Sequence, residues 1–242
     1  MKKGKALGLY CAGLYSFLYV PLVVMTVFSF NNAHRNVVWR GFTFKWYARL
    51  VSDNEMLSGL WLSLKIAFST ACVYPYMDVA SGGATEAVPA IPPSGDYANS
   101  CVGRERMFEY FSRKHGTKGR FLRLEYAIDM RYGVLHDVGS KVFAGSSIDL
   151  TMGHVNVIWQ GDANSMALRA LGQCTAPASA LNLSGPETVS VRALADAFGR
   201  HFNTAPVFAG KEAGTAWLVN SAEAHRLFGR PSVPLETMIA WQ

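Results

Sequence analysis

The chain has 242 residues, half of them apolar, and a formal net charge of +6. The whole surplus lies in the stretch up to Cys72, where eight Lys/Arg face two acidic residues, while the rest is balanced; this argues against a nucleic-acid-binding surface on the folded part and for a basic flank around an apolar segment. The four cysteines, Cys11, Cys72, Cys101 and Cys174, share no C-x-x-C spacing and no metal-like interval to a histidine, so neither a disulfide framework nor a zinc site is expected.

Residues 6–30, ALGLYCAGLYSFLYVPLVVMTVFSF, run 25 positions without a charge. At about 1.5 Å each they cover roughly 37 Å as a helix, more than the ~30 Å hydrocarbon core of a bilayer. MKKGK precedes them, no face is polar, and FSFNNAH offers no small-x-small cleavage pattern. An uncleaved membrane span is expected, with Pro21 as a tolerated kink. Residues 31–55 are polar and aromatic and read as a loop at or outside the membrane surface.

Residues 64–76, LKIAFSTACVYPY, fit two structures. As part of a helix over 56–76 they could enter the bilayer, with Lys65 costing roughly 2.5–3.5 kcal/mol at its centre. As a strand over Ile66–Val73 they would join a sheet, and Pro75 discourages a continuous helix. The strand is the preferred expectation.

From Tyr74 the texture changes. MDVASGGATEAVPAIPPSGD is a Gly/Pro/Ser-rich loop. YANSCVGRERMFEYFSRKHG reads as a helix with Cys101, Met107, Phe108 and Phe111 toward one side and Gly116 as its stop. RFLRLEYAI reads as a strand, LHDVGSKVFAG as a short helix, and SIDLTM, VNVIW and ALNLSG as further strands. Asp162 is the expected N-cap of a helix ending near Gly172, and Ser190 that of one with Val191, Leu194, Ala195, Phe198 and Phe202 at helical period. Asn220 and Glu223 resemble a capping box before a short helix stopping at Gly229. Strands alternating with helices predict an α/β fold.

Two resemblances follow from these residues. LYVPLVVMTVFSFN, WRGFTFKWYARL and WLSLKIAFS, in that order over about residues 1–70, resemble the start of a spermidine/putrescine-type ABC-transporter permease. That likeness implies an inner (plasma) membrane location, transporter subunits as partners and a cytoplasmic N-terminus, with a single or double span. Later windows offer no further span. FSTACVYPY, YANSCVGRERMFEYF, RLEYAIDMRYGVLHD, HVNVIWQGDAN and LNLSGPETVSV, over about residues 66–242, resemble the C-terminal part of an NAD-dependent epimerase/dehydratase of the extended short-chain dehydrogenase/reductase superfamily. The resemblances divide the chain into a permease-like membrane segment, 1–65 (span 6–30, external loop 31–55), and a Rossmann-like α/β portion, 66–242.

The second resemblance implies NAD or NADP as cofactor and a Ser/Thr, Tyr and Lys acting together. Thr70 falls at the Ser/Thr position and Tyr97 at the position of the Tyr, which transfers a proton and contacts the cofactor. Cys101 stands where the Lys is expected, four residues on. A cation there would sit on the same helix face as the phenol and lower its pKa, which a neutral thiol does not. Arg104, seven residues from Tyr97, is on a similar face and could substitute in part. Glu125, Tyr126 and Arg131 lie where family members contact substrate. The family's G-x-x-G-x-x-G run is not in the sequence, and SGGATE lacks its strand–turn–helix setting.

Three functions are therefore open. The chain could be a hybrid, a membrane-anchored and truncated epimerase/dehydratase-like portion without self-sufficient catalysis. It could be a nucleotide-sugar epimerase or dehydratase working with a partner that supplies the cofactor-binding half. Or its first segment could make it a permease component of a polyamine ABC transporter. The expected partners are the membrane and one of those proteins, not nucleic acid.

Overall fold

A computed structural model of the chain describes residues 15, 17, 19–33, 38–57 and 65–242. The chain divides into two compact units, residues 1–61 and 62–242.

In the first unit residues 19–28 are helical, Pro21 included, with Val20, Leu22, Val23 and Met25 all more than half exposed. The span expected over 6–30 lies partly outside the described residues; among those described, no helix is long and apolar enough to cross a membrane. The segment expected to be a loop contains helix α1, Lys45–Ser52. Tertiary contacts hold it there. Asn31 is buried; its Nδ2 donates to the Val38 carbonyl at 2.8 Å and its Oδ1 accepts from the Arg40 N–H at 2.8 Å. Trp46 Nε1 donates to the Asn31 carbonyl at 2.8 Å. Phe30 stacks on Phe42, ring centres 5.1 Å apart, and meets Phe44 edge-on at 5.4 Å. Phe30, Asn31, Phe42, Phe44 and Trp46, from the first two motifs of the permease resemblance, thus form one aromatic cluster around an asparagine.

The second unit runs β1 (Ile66–Thr70), β2 (Met77–Asp78), α2 (Asp96–His115), β3 (Arg120–Leu124), β4 (Ala127–Ile128), α3 (Val134–Phe143), β5 (Ser147–Asp149), β6 (His154–Val155), β7 (Ile158–Trp159) and α4 (Gln160–Ala170). It continues through β8 (Ser179–Leu183), β9 (Val189–Ser190), α5 (Val191–Phe202), β10 (Val207–Ala209), β11 (Thr215–Ala216), α6 (Ala222–Phe228) and α7 (Leu235–Trp241). This is the expected α/β alternation. From Ile66 onward the strand, not the helix, is the structure of the ambiguous segment. It stops three residues earlier than expected because Thr70 Oγ1 accepts from the Cys72 N–H at 3.2 Å and caps a 3-10 turn over Ala71–Val73.

The main sheet is parallel, in the order β1–β3–β8, with Thr70, Leu124 and Leu183 in register at its carboxyl end. One face (Ala67, Phe121) packs on Phe108 of α2; the other (Leu122, Leu181, Leu183) packs on Ala163, Met166 and Ala170 of α4 and on Phe228 of α6. Among the described residues no strand pairs with the outer edge of β1, and Phe68 there is 52% exposed. A second core joins α3, α5, β5 and α7 around Leu135, Ile148, Leu194 and Phe198.

Several local expectations give way to tertiary contacts. The α2 residues that face the sheet are Ala98, Cys101, Val102, Glu105 and Ser112, while Met107 and Phe111 point to solvent. Glu105 can be buried because Arg123 of β3 meets it in a two-pronged pair, at 3.0 and 2.6 Å. The strand expected over RFLRLEYAI breaks at Glu125–Tyr126, where Tyr126 takes φ +24°, so that β4 leaves β3's line and pairs with β7. VNVIW divides for the same kind of reason, β6 pairing with β9 and β7 with β4. Asp162 is not a cap but a first-turn residue of α4, its carboxylate accepting from Ser232 Oγ at 2.6 Å and the Val233 N–H at 3.0 Å. Asn220 Oδ1 does accept from the Ala222 N–H at 3.0 Å, but Glu223 turns to Arg226 instead of closing a capping box. Ser190 caps α5 as expected, accepting from the Ala193 N–H at 3.3 Å. The loop after Tyr76 contributes β2, which pairs antiparallel with β11.

Candidate active site at the strand ends

Parallel strands in register place whatever follows them at one rim, and open α/β sheets bind ligands outside that rim. Here the rim receives Thr70 and Cys72 after β1, Glu125 and Tyr126 after β3, and Ser184 after β8. Helix α2 is fastened beside it by the buried Arg123–Glu105 pair and its extension: Arg123 Nη1 donates to Tyr74 Oη at 2.7 Å, and Tyr74 Oη donates to Asn182 Oδ1 at 2.8 Å. Burial pushes the Tyr74 phenol up, with Arg123 pulling against it.

The first turn of α2 then brings Tyr97, 65% exposed, close enough to Thr70 for that side chain to act on its phenol. Cys101 is buried one helical turn below, where Arg104 Nη2 donates to its Sγ at 3.1 Å. The phenol of Tyr97 is raised, by burial first and then by the neighbouring Cys101 sulfur; the Thr70 side chain works the other way. Arg104 spends its guanidinium on the sulfur and is not among the groups acting on the phenol. The geometry therefore gives a Thr–Tyr hydroxyl pair that can hydrogen-bond a ligand oxygen, without the cation that would make the phenol a ready proton donor at neutral pH.

Glu125 is 2% exposed, and burial holds its carboxyl well above the usual carboxylate range. Tyr126 is half exposed and its phenol is pushed up to about 12, by burial and then by Glu125 and Cys72. It lines a cavity of about 200 Å³ together with Asp137, Lys141, Asp149, His154 and Trp217. Small-molecule pockets are commonly about 300–1,000 Å³, so this space takes one ring-sized group. Arg131 is not drawn in: its side chain is 80% exposed and pairs with Asp129 at 2.9 Å. Sequence reasoning passed over Cys72, Ser184 and the Tyr74–Asn182 link. Cys72 could have been found two positions beyond Thr70; the others have no local signal.

No known family's profile matches the chain. Over a short stretch it is similar to the spermidine/putrescine transport system permease protein PotC of Escherichia coli, 34% identical over 64 residues, which is 26% of this chain and 24% of that protein. It is also similar to the putrescine transport system permease protein PotI of the same organism, 39% identical over 57 residues, 24% of this chain and 20% of that protein. The chain thus spans about a quarter or less of the curated relatives it matches. Its structure is similar to UDP-glucose 4-epimerase of Thermus thermophilus in complex with NAD, with a TM-score of 0.59 and 19% identity over 72% of this chain and 60% of that one. It is similar as well to dTDP-glucose 4,6-dehydratase of Bacillus anthracis in complex with NAD, with a TM-score of 0.62 and 14% identity over 76% and 63%. At these identities the likeness is one of fold: an α/β, Rossmann-type architecture.

Those neighbours hold NAD, and Gly83 does not serve as a cradle for it. The chain's one Gly-Gly pair is Gly82–Gly83. Gly83, at φ +85°, lies so close to Val219 that a Cβ would meet that residue's backbone at 2.6 Å, and a turn follows instead of a helix. Its missing side chain serves chain packing, not the approach of a pyrophosphate.

Proposed function

We propose that the chain is a hybrid protein, with a permease-like segment that anchors it to the inner membrane and, from about residue 66, an epimerase/dehydratase-like unit that binds a nucleotide sugar at its strand ends but has no NAD(P) site of its own. The observation that carries this is the Thr70–Tyr97 pair, set at the carboxyl rim of a parallel sheet with Cys101 below the phenol. Thr70 and Tyr97 hold a sugar hydroxyl or carbonyl oxygen, and Tyr126 borders the space for an attached ring. With Cys101 in the cation's place and no glycine cradle, the unit does not turn over alone.

Titrating the full chain with NAD while following tryptophan fluorescence tests this reading. No saturable quenching is expected. Saturable quenching that disappears in Tyr97→Phe would refute it. UDP-glucose, which structural neighbours bind, is the corresponding probe for the strand ends and is expected to bind without NAD.

The outer edge of β1, unpaired among the described residues and with Phe68 half exposed, favours a second reading, in which another polypeptide supplies the cofactor-binding half. Addition of such a half would convert NAD binding from absent to present. The short likeness to PotC and PotI supports transporter subunits as partners of the first segment; copurification with a transport ATPase is its test.

A further inference from the structure

Helix α1 of the first unit is amphipathic, and its apolar side is not buried among the described residues. At 3.6 residues per turn Trp46, Tyr47, Leu50 and Val51 fall on one arc, and Lys45, Arg49 and Ser52 on the opposite one. Asp53 and Glu55, the acidic residues nearest to it, come after the helix. No residue of α1 is buried: Tyr47 is 39% exposed, Leu50 40% and Val51 70%. Phe44, the residue before the helix, extends the apolar arc with an exposed ring against that of Tyr47.

The helix nevertheless has a fixed place in its unit. The Tyr47 hydroxyl is hydrogen-bonded to Ser29 Oγ, and its ring lies 5.1 Å from that of Phe30, so α1 is tied to the end of the helical residues 19–28. Isolated helices shorter than about 12–15 residues are marginal in water, and α1 has eight. A helix this short is stabilised mainly by what covers its apolar arc.

Lipid fits that arc best. The exposed surface joins, through the aromatic cluster, the 19–28 helix, whose Val20, Leu22, Val23 and Met25 are themselves exposed. Trp46 and Tyr47 each carry an apolar ring with a polar tip, the composition favoured at headgroup depth. Lys45, lying across the Trp46 ring at 4.6 Å from its centre, and Arg49, one turn on, supply cations opposite the apolar arc. Basic residues on the polar face and aromatic or aliphatic ones on the other are what an in-plane helix on an anionic membrane needs. A protein groove would also accept the apolar arc, but it gives no reason for the charges opposite to be all basic.

We propose that α1 lies in the plane of a phospholipid surface, with Leu50 and Val51 in the headgroup–acyl boundary and Lys45 and Arg49 toward anionic phosphates. This rests on the membrane-anchor reading above and gives the anchor an in-plane contact besides the apolar run.

Photocrosslinking of the full chain in vesicles of phosphatidylethanolamine and phosphatidylglycerol tests it. One variant carries p-benzoylphenylalanine in place of Val51 and another in place of Arg49, both exposed positions that the fold tolerates changing. The vesicles are floated before illumination. A chain that floats and forms adducts with lipid acyl chains from position 51, lost when the label stands at 49, supports the proposal. Acyl-chain adducts from both positions alike, or from neither, overturn it and leave the anchor standing. Crosslinking of position 51 to a second copy or to another protein in place of lipid also overturns it, and makes the face a protein interface. A chain that does not float brings down the anchor reading and the in-plane helix with it.

Discussion

Tyr97 and Cys101 illustrate how much one side chain decides. Tyr97 lies near Thr70, yet its phenol is raised, by burial first and then by Cys101, the thiol that stands four positions on where an ammonium would pull the other way. That much was legible in the sequence, since i and i+4 spacing fixes which side chains meet on a helix. The fate of Arg104 was not, because both Tyr97 and Cys101 were within its reach and only coordinates show that it takes the sulfur. Glu125 has a consequence for stability. Its folded-state pKa lies above the unfolded value of about 4.3, so the native state keeps a proton that the unfolded chain releases. Its contribution is most favourable below about pH 4.3, falls by at most about 1.4 kcal/mol per pH unit as the pH climbs toward the folded value, and is flat above it. Urea midpoints at about pH 5 and about pH 8 should therefore show wild type losing more stability with rising pH than Glu125→Gln. Equal pH slopes in the two proteins would contradict the assignment.

At the scale of elements, the long periodic segments declared themselves: α2 and α5 lie where the sequence placed them, and Gly116 ends α2 in the left-handed region at φ +67°. The failures share a cause. β4, β6 and β7 are two-residue strands whose bounds depend on partners distant in sequence, and of the four α2 residues chosen by hydrophobicity Cys101 and Phe108 meet the sheet while Met107 and Phe111 do not and the ion-paired Glu105 does. That pair can be tested. Arg123 also donates to Tyr74, so removing Glu105 leaves a buried guanidinium half satisfied. Glu105→Ala should destabilise the unit by about 3–5 kcal/mol in urea unfolding, far more than the exposed Glu109→Ala, whose pair with Arg113 is worth about 0.5 kcal/mol. A loss for Glu105→Ala no larger than that for Glu109→Ala would mean the pair does not fasten α2 to the sheet.

At the scale of the molecule, the chain divides into two compact units at residues 61 and 62, and the ambiguous segment is a strand from Ile66. With residues 66–70 in a sheet, a second span over 56–76 has no helix to run through, so the one-span topology is the one to test. Given the cytoplasmic N-terminus implied by the permease likeness, an alkaline phosphatase fused at the C-terminus should be active outside the inner membrane. An inactive fusion that is nevertheless made in full would return the α/β unit to the cytoplasm. What the sequence by itself determined was the material at each point: an apolar N-terminal run, α/β alternation after Tyr74, and a Tyr with a Cys four residues on at the start of a helix. These are local properties, carried by periodicity, caps and spacing. Only the tertiary structure decided that Thr70, Cys72, Glu125 and Ser184 share one rim, because parallel register aligns strand ends separated by more than a hundred residues. It also decided that the Glu125 carboxyl is buried with no hydrogen-bond partner among the described residues, since burial is a property of everything packed around a residue and not of the residue itself.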